Sequence, residues 1–428
     1  MRRLSYFVCA VVLQFMLMSC AYANEDSLKI ATISDVHYLS SELIGDGKAY
    51  DSYKQNLGRD VDELHSALDV AIDNIKRENV DILLVTGDIT NHGEKQSHLD
   101  FIDILRELKQ SGIRTFVIPG NHDINIPDAK SYLGDVAQSV DNISSEEFAE
   151  LYSEFGYGNA LSRDEASLSY LAELDEHTWL LAFDTNRYDE YQTSSISAGR
   201  IKPETMCWAL EIIEKGKQEG KRVLAMMHHG LIEHMPYQSA LFQDYLVEDW
   251  AVMADRLAAS GLEVVFTGHF HSNDVVSRKD NSGNVIYDVE TASLAQYPFG
   301  YRIMNLTANE LSIKTYFVDS LPSNKNFGAE HKKKLEDRTR ALIKIKLDGY
   351  GPMMPDDLKN SLVEMLTKLS VSHVEGDEKP NPLLVRAIKS FASQLGTSVG
   401  DDYSLDFPPS DSNLTIEFAD KKSFVDEQ

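Results

Sequence analysis

Short apolar runs alternate with amphipathic stretches between residue 28 and about residue 317. Runs rich in apolar and β-branched residues predict buried strands at 28–34, 81–86, 114–118, 167–174, 178–183, 222–227, 263–267, 285–289, 301–306 and 311–317. Apolar residues three and four positions apart predict helices at 60–78, 98–110, 144–155, 203–217 and 249–259. This alternation of strands and helices predicts an α/β core, and the closely spaced final strands predict some antiparallel sheet.

The pattern changes near residue 320. A Lys-rich stretch at 331–334 is followed by further helical periodicity, and we expect three helices at 328–346, 355–370 and 382–395. We therefore predict two domains: an α/β domain at residues 26–320 and a small C-terminal helical domain at residues 321–428.

The N-terminus has the pattern of an export signal. A basic start precedes an apolar run at 4–18, which is shorter than the roughly 20 residues that span a bilayer. With the A-Y-A site at 21–23, this predicts a signal peptide at residues 1–23. The L-M-S-C sequence at 17–20 resembles a bacterial lipobox, which makes Cys20 a candidate for lipidation. Both alternatives predict export, either as a lipoprotein in the periplasm or at the cell surface, or as a soluble periplasmic or secreted protein.

The amino-acid composition argues against several functional classes of protein. The 428 residues carry a formal net charge of −27, and 43 % of them are apolar, which is enough to build a core. The acidic balance argues against a nucleic acid polymer as partner, because such binding depends on Lys and Arg at phosphates. The three cysteines, Cys9, Cys20 and Cys207, are too few for a disulfide scaffold or an all-thiolate metal site.

The predicted strands end in polar motifs that share one chemistry. Carboxylate, amide and imidazole groups follow the ends of five of the predicted strands, as Asp35 and His37, then Asp88, then Asn121 and His122, then His228 and His229, and finally His269 and His271. Ligands of open α/β sheets bind at the carboxyl ends of the strands, so we expect these groups to meet at one rim. Clustered carboxylates repel unless a positive charge lies between them.

Nitrogen and carboxylate donors suit zinc, iron or manganese. Seven candidate ligands exceed what one closed site needs, and Asp88 is placed to bridge two ions. Two metals about 3.5–4 Å apart form a clamp that stabilises the attacking and leaving oxygens of a phosphoryl group. The sequence therefore predicts a dinuclear centre.

In this order the blocks resemble the calcineurin-like metallophosphoesterase superfamily, whose pattern is D-x-H, G-D-x-x-N/D, G-N-H-D/E, a histidine after a strand, and G-H-x-H. The resemblance covers residues 28–306, about two-thirds of the chain. It implies an α/β/β/α sandwich of two mixed sheets flanked by helices. The C-terminal helical domain lies outside it.

The resemblance also implies roles for individual residues. One metal would be held by Asp35, His37 and His271, and the other by Asn121, His228 and His269, with Asp88 bridging both. From spacing alone, His228 and His229 are equivalent, and the family register favours His228. His122 would not be a ligand but would face the substrate and stabilise or protonate the leaving oxygen. The cofactors implied are two divalent or mixed-valence ions of iron, zinc or manganese.

The implied reaction is hydrolysis of a phosphoric ester, with a metal-bridging hydroxide attacking phosphorus in line. Asn91-His92-Gly93 replaces the Asp-Arg-Gly of phosphoprotein phosphatases, and Asn91 replaces the tyrosine ligand of purple acid phosphatases. We therefore expect a small-molecule phosphodiesterase, for cyclic nucleotides or glycerophosphodiesters. The alternatives are a phosphomonoesterase of nucleotides or sugar phosphates and a non-catalytic exported metal-binding receptor. A lipoprotein that works through its helical tail and a DNA nuclease are weaker alternatives. The predicted loops at 38–59 and 185–200 are candidates for substrate binding.

Overall fold

Two mixed β-sheets form the centre of the computed structural model, which describes residues 27–349, 355–378, 382–394 and 406–419. The strands are β1 (Leu28–Ile33), β2 (Ile82–Thr86), β3 (Arg114–Ile118), β4 (Lys130–Ser131), β5 (Gln138–Ser139), β6 (Ser162–Arg163), β7 (Tyr170–Asp175), β8 (Thr178–Ala182), β9 (Arg222–Met226), β10 (Val264–Thr267), β11 (Asp274–Lys279), β12 (Val285–Glu290), β13 (Gly300–Leu306), β14 (Glu310–Phe317) and β15 (Asn413–Glu417).

The helices lie between and after these strands. They are α1 (Lys48–Leu57), α2 (Val61–Arg77), α3 (Lys95–Gln110), α4 (Ser145–Leu151), α5 (Pro203–Gln218), α6 (Gln238–Leu241), α7 (Trp250–Ala259), α8 (Phe327–Asp348), α9 (Asp356–Glu375) and α10 (Pro382–Gln394).

The first sheet has the strand order β15-β14-β13-β1-β2-β3, in which β1, β2 and β3 are parallel and the other pairs are antiparallel. The second has the order β11-β12-β10-β9-β8-β7-β6, with β12, β10, β9 and β8 parallel. A small third sheet pairs β4 with β5. The predicted fold class, two mixed sheets flanked by helices, is confirmed.

One hydrophobic core joins the two large sheets and their helices. All five residues of β2 are buried, as a strand covered on both faces requires. Helix α2 buries Leu64, Leu68 and Ile72 on one face, which is the stripe that its sequence predicts. Because β1, β2 and β3 are parallel to one another, as are β9 and β10, their carboxyl ends form the rim where the polar motifs lie.

Several elements differ from the sequence prediction, among them the short strands β4, β5 and β6 and the short helix α6, which were not predicted. Helix α1 lies in the predicted loop at 38–59, where only Ala49 and Tyr53 are buried and no apolar stripe marks the helix. Strand β11 was not predicted. Strand β15 pairs with β14, so the prediction of a purely helical segment at 321–428 is incomplete. Its short N-L-T-I-E sequence buries one side chain, Ile416, which gives a weak signal.

Helix α9 packs on the core beside the motif at 268–271. The backbone N–H of Asn273 donates to the carbonyl of Val374 in α9, at 3.2 Å, and the ring centroids of Phe270 and His373 lie 5.6 Å apart. The division at residue 320 stays a prediction. The predicted signal peptide at 1–23 and Cys20 lie outside the described residues. No helix in the described ranges is long and apolar enough to cross a membrane.

Candidate metal centre

Eight side chains named from the sequence meet at the rim formed by β1, β2, β3, β9 and β10. Asp35, His37, Asp88, Asn121, His228 and His269 are buried, whereas His122 and His271 are partly exposed. The first sheet supplies the two aspartates, Asn121, His37 and His122, and the second supplies the other three histidines. The rim therefore combines groups from both sheets.

One group of donors consists of Asp35, His37 and His271. His271 Nε2 lies 3.1 Å from Asp35 Oδ1 and 3.3 Å from His37 Nε2. One donor atom from each of the three residues lies within 4.8 Å of the others. Three nitrogen and oxygen donors at this separation can face one ion.

A second group contains His228, His269 and Asn121. His228 Nε2 lies 3.1 Å from Asn121 Oδ1. Donor atoms of Asp35, Asp88, His228 and His269 also lie within 4.8 Å of one another. His229 lies beside this group, with its ring centroid 4.6 Å from that of His269, and its Nδ1 lies 2.7 Å from the Thr185 hydroxyl.

Asp88 lies between the two groups. Its Oδ2 is 3.7 Å from His37 Nε2, and its Oδ1 is 3.4 Å from His228 Nε2. Each carboxylate oxygen therefore faces one group, which is the arrangement that a bridging ligand requires.

Backbone carbonyls fix the orientation of two imidazoles. His228 Nδ1 donates to the Thr86 carbonyl at 2.9 Å, and His269 Nε2 donates to the Ser197 carbonyl at 2.9 Å. When these imidazoles are neutral, the lone pair is consequently left on Nε2 of His228 and on Nδ1 of His269. Such contacts set the tautomer and ring orientation of metal-ligating histidines.

The site is strongly polarised. Burial opposes ionisation of Asp88, but the charges of His228 and His122 outweigh it and hold the Asp88 pKa well below its usual value. Burial also opposes protonation of His228, yet Asp88 and Asp35 raise its pKa to about 9. Burial and the neighbouring His228 lower the pKa of His269 to about 3. Two ionised carboxylates in a buried site attract positive charge.

The backbone at the rim adopts an unusual conformation. Asp35, His37, Asp88, His269 and His271 have φ angles of 49°, 44°, 46°, 73° and 63°. Non-glycine residues rarely occupy this left-handed region, and the conformation costs on the order of 1–3 kcal/mol each unless the surroundings support it. Such strain clusters at functional sites, and it places successive ligands on the same side of the chain.

Glycines precede ligands where two segments approach closely. A Cβ on Gly120 would lie 2.1 Å from the Asp88 backbone nitrogen, and a Cβ on Gly268 would lie 2.6 Å from Asp35 Oδ2. Gly87 has a φ of +90°, and its Cβ would lie 2.6 Å from His228 Nδ1. These contacts explain why G-D, G-N and G-H pairs mark the rim.

Two supporting residues stand outside the predicted set of metal ligands and catalytic residues. Asp123 accepts hydrogen bonds from the backbone of Gly120, Ile89 and Thr90, at 2.7, 3.1 and 2.8 Å. It thereby ties the loop after β3 to the loop after β2. In the sequence, Asp123 is indicated by its position as the final residue of the G-N-H-D motif. His92 is the second, with its Nδ1 3.3 Å from His122 Nδ1.

Comparison with known proteins agrees with this geometry. A family model described as calcineurin-like phosphoesterase matches residues 28–273, more than half of the chain. The mixed sheets and the Asp/His cluster support the class of metal-dependent phosphoesterases, with two divalent ions implied. The chain belongs to the calcineurin-like phosphoesterase family, which confirms the resemblance seen in its motifs.

Individual relatives are distant. The chain is similar to the DNA double-strand break repair protein Mre11 of Sulfurisphaera tokodaii, with 23 % identity over 249 residues, 58 % of this chain and 50 % of the relative. It thus spans about half the length of that relative. Among solved structures, a dimetal phosphatase from Danio rerio is 14 % identical with a TM-score of 0.46, over 68 % of this chain and 96 % of that one. Purple acid phosphatase PPD1 from yellow lupin is 12 % identical with a TM-score of 0.42, over 69 % and 52 %.

Proposed function

We propose that the chain hydrolyses small phosphodiesters, of the cyclic nucleotide or glycerophosphodiester type, with two divalent ions at the rim. The observation that carries this proposal is the convergence of seven buried or partly buried donors from both sheets, with Asp88 between two groups. The net charge of −27 supports a small substrate over a nucleic acid polymer.

The donor set fits a pair of ions. Asp35 Oδ1 is buried and has no hydrogen-bond partner among the described residues, although His271 Nε2 lies 3.1 Å away, so both atoms can face one ion. In this proposal Asp35, His37 and His271 hold one ion, and Asn121, His228 and His269 hold the other, with Asp88 shared. Bound there, two divalent ions polarise phosphoryl oxygens and activate water.

In this proposal the protein's own groups place the His122 ring at the site, and His122 protonates the leaving oxygen. The backbone N–H of His122 donates to Asp88 Oδ1 at 2.8 Å, which places the His122 ring beside the donors. Because its Nδ1 contacts His92, Nε2 is the nitrogen left to donate a proton to the leaving oxygen. General acid catalysis of this kind contributes about 10²–10⁴-fold.

The test measures hydrolysis of bis(p-nitrophenyl) phosphate with manganese, zinc or iron, before and after chelation. We expect His122→Ala to keep both metals and lose about 10²–10⁴-fold in rate, and Asp88→Ala to lose metal as well. His177→Ala changes an exposed histidine, with a side chain 75 % accessible, and serves as the matched control. Full metal content and full rate in Asp88→Ala would overturn the bridging assignment.

A substrate panel separates the remaining alternatives. Faster release from p-nitrophenyl phosphate than from the diester indicates a phosphomonoesterase, and cleavage of single-stranded or duplex DNA indicates a nuclease. Bound metal without turnover of any phosphoester indicates a metal-binding receptor. We expect the diester to be the better substrate.

We also propose that the protein is exported. The proposal is supported by the sequence pattern at residues 1–23, and lipidation would be at Cys20. Cell fractionation with labelled palmitate tests it. Label on the wild type and its loss in Cys20→Ser indicate a lipoprotein, whereas a soluble exported product without label indicates cleavage after residue 23. Retention of an uncleaved chain in the cytoplasm would contradict export.

A further inference from the structure

A cavity lies between the segment after α1 and the C-terminal helix α8. Its volume is about 430 Å³, within the roughly 300–1,000 Å³ of small-molecule pockets. The residues of interest on its walls are three cations, an imidazole and an aromatic ring, namely Arg59, Lys334, Arg338, His331 and Tyr297. Because its two sides are almost 280 residues apart in sequence, no local motif marks it.

Arg59 connects this cavity with the metal centre. The Arg59 guanidinium lies beside the Asn91 side chain, which belongs to the same loop as Asp88. On another wall, Ala295 follows the loop in which the Ser293 hydroxyl donates to the Asp35 carbonyl at 2.8 Å. Segments that line the cavity are therefore in contact with the loops that carry Asp35 and Asp88.

The two arginines carry charge that the protein does not neutralise locally. Arg59 Nη1 lies 3.5 Å from Asn91 Oδ1, and Arg338 Nη1 donates to the Leu57 carbonyl at 3.1 Å. Within the described ranges, neither arginine forms an ion pair with a carboxylate. Burial lowers the pKa of Arg59, and the nearby charge of Arg338 acts in the same direction. Like charges held together in a concave site favour an anion between them.

The remaining charged groups of the wall already have partners. Lys334 Nζ lies 3.6 Å from Glu63 Oε2, and the acid on the wall, Asp337, lies 3.0 Å from Arg340 Nη1. The cavity is therefore electropositive, although the chain as a whole is strongly acidic.

We propose that this cavity binds a second anionic group, a phosphate or a carboxylate, on the part of the substrate that is not cleaved. The inference rests on the proposed phosphoesterase function and narrows its substrate class to small phosphoesters that carry another negative charge. Arg59 and Arg338 contact that group, so the C-terminal helix α8 contributes to specificity.

The test compares two probes that differ by one phosphate. They are thymidine 5′-(p-nitrophenyl phosphate) and the same ester with a 3′-phosphate, both assayed by p-nitrophenol release with the metal that supports turnover of bis(p-nitrophenyl) phosphate. A charge-assisted contact predicts about tenfold higher kcat/KM for the 3′-phosphorylated probe, mainly through KM. In parallel, calorimetry compares the binding of thymidine 3′,5′-bisphosphate and thymidine 5′-phosphate.

Variants at two positions of α8 separate the effect of the cavity from a general change in charge. Arg338→Gln removes a cavity cation and should abolish most of the tenfold advantage. Arg340→Gln is the matched control, because Arg340 binds Glu364 through Nε at 2.6 Å and does not line the cavity. It should leave the advantage intact. Arg338→Lys keeps the charge and should restore part of the advantage.

The outcomes separate the two proposals. If both probes are cleaved equally well, or if Arg338→Gln and Arg340→Gln change both probes alike, the cavity proposal is wrong and the phosphoesterase proposal stands. If neither probe nor bis(p-nitrophenyl) phosphate is cleaved with any metal, the phosphoesterase proposal fails. Binding of the bisphosphate no tighter than of the monophosphate overturns the cavity proposal independently of turnover.

Discussion

The close approach of Gly120 to Asp88 gives a direct test of the site. A Cβ added to Gly120 would lie 2.1 Å from the backbone nitrogen of Asp88 and 2.2 Å from its Oδ1. Ordinary van der Waals contact begins at 3.4 Å. Part of the obstacle is backbone, so a side-chain rotation cannot relieve it. Gly120→Ala must therefore separate the loops after β2 and β3, by about 1 Å, a displacement that can cost roughly 10²-fold in rate.

We expect Gly120→Ala to lose about 10²-fold in kcat/KM on bis(p-nitrophenyl) phosphate. Overpacking of this kind also lowers the free energy of unfolding by about 1–3 kcal/mol. The assay is hydrolysis at saturating metal, combined with metal content per chain by mass spectrometry and urea denaturation of the metal-free protein. Metal content should fall together with the rate, because Asp88 is displaced.

Gly134→Ala is the control for this prediction. Gly134 is half-buried, and a Cβ there would meet nothing within 4 Å. Its rate and metal content should match those of the wild type. If Gly120→Ala also bound two metals and turned over at the wild-type rate, the close contact between Gly120 and Asp88 would not exist in the working enzyme, and the inferred construction of the rim would be refuted.

Three further outcomes follow from buried and exposed polar groups. Asp123→Ala leaves the buried N–H groups that Asp123 accepts without a partner, at about 1–3 kcal/mol each, so denaturant midpoints should fall sharply; an unchanged midpoint would contradict this. Burial raises the pKa of Glu290 from 4.5 to about 7, so its contribution to stability is present below pH 4.5 and is lost as pH rises through 7. The Tm of Glu290→Gln, measured by circular dichroism, should therefore rise relative to wild type between pH 5 and 8.5, and a constant difference would count against the shift. Arg106→Ala removes an exposed contact with Glu154 and should change the free energy of unfolding by less than about 1 kcal/mol.

The strands and the ligand set were predictable because both depend on short-range pattern. An apolar run such as 81–86 can be buried only as a strand within so few residues, and Asp88 follows it at once. Parallel strands then bring their carboxyl ends together whatever the loops between them do. Helix α1 escaped prediction because few of its side chains are buried, so no periodic apolar signal exists.

The support of the site could not be predicted from the sequence. The Ser197 carbonyl that orients His269 lies 72 positions away in the chain, in a loop with no motif. The left-handed backbone conformation of His37 is imposed by its surroundings. The intrinsic preference of histidine for this conformation is too weak to predict it from the sequence. Arg59 and Arg338 become neighbours only when α8 packs beside the rim.

The division of the ligands between two sheets has a mechanical consequence. Neither half of the sandwich alone presents a complete chelate: one half holds both aspartates, and the other holds three imidazoles. Binding of the ions therefore also links the two sheets, and the free energy of metal binding stabilises the packing of one sheet on the other. Treatment with a chelator should accordingly destabilise the packing of the two sheets, also far from the ions, in addition to abolishing turnover.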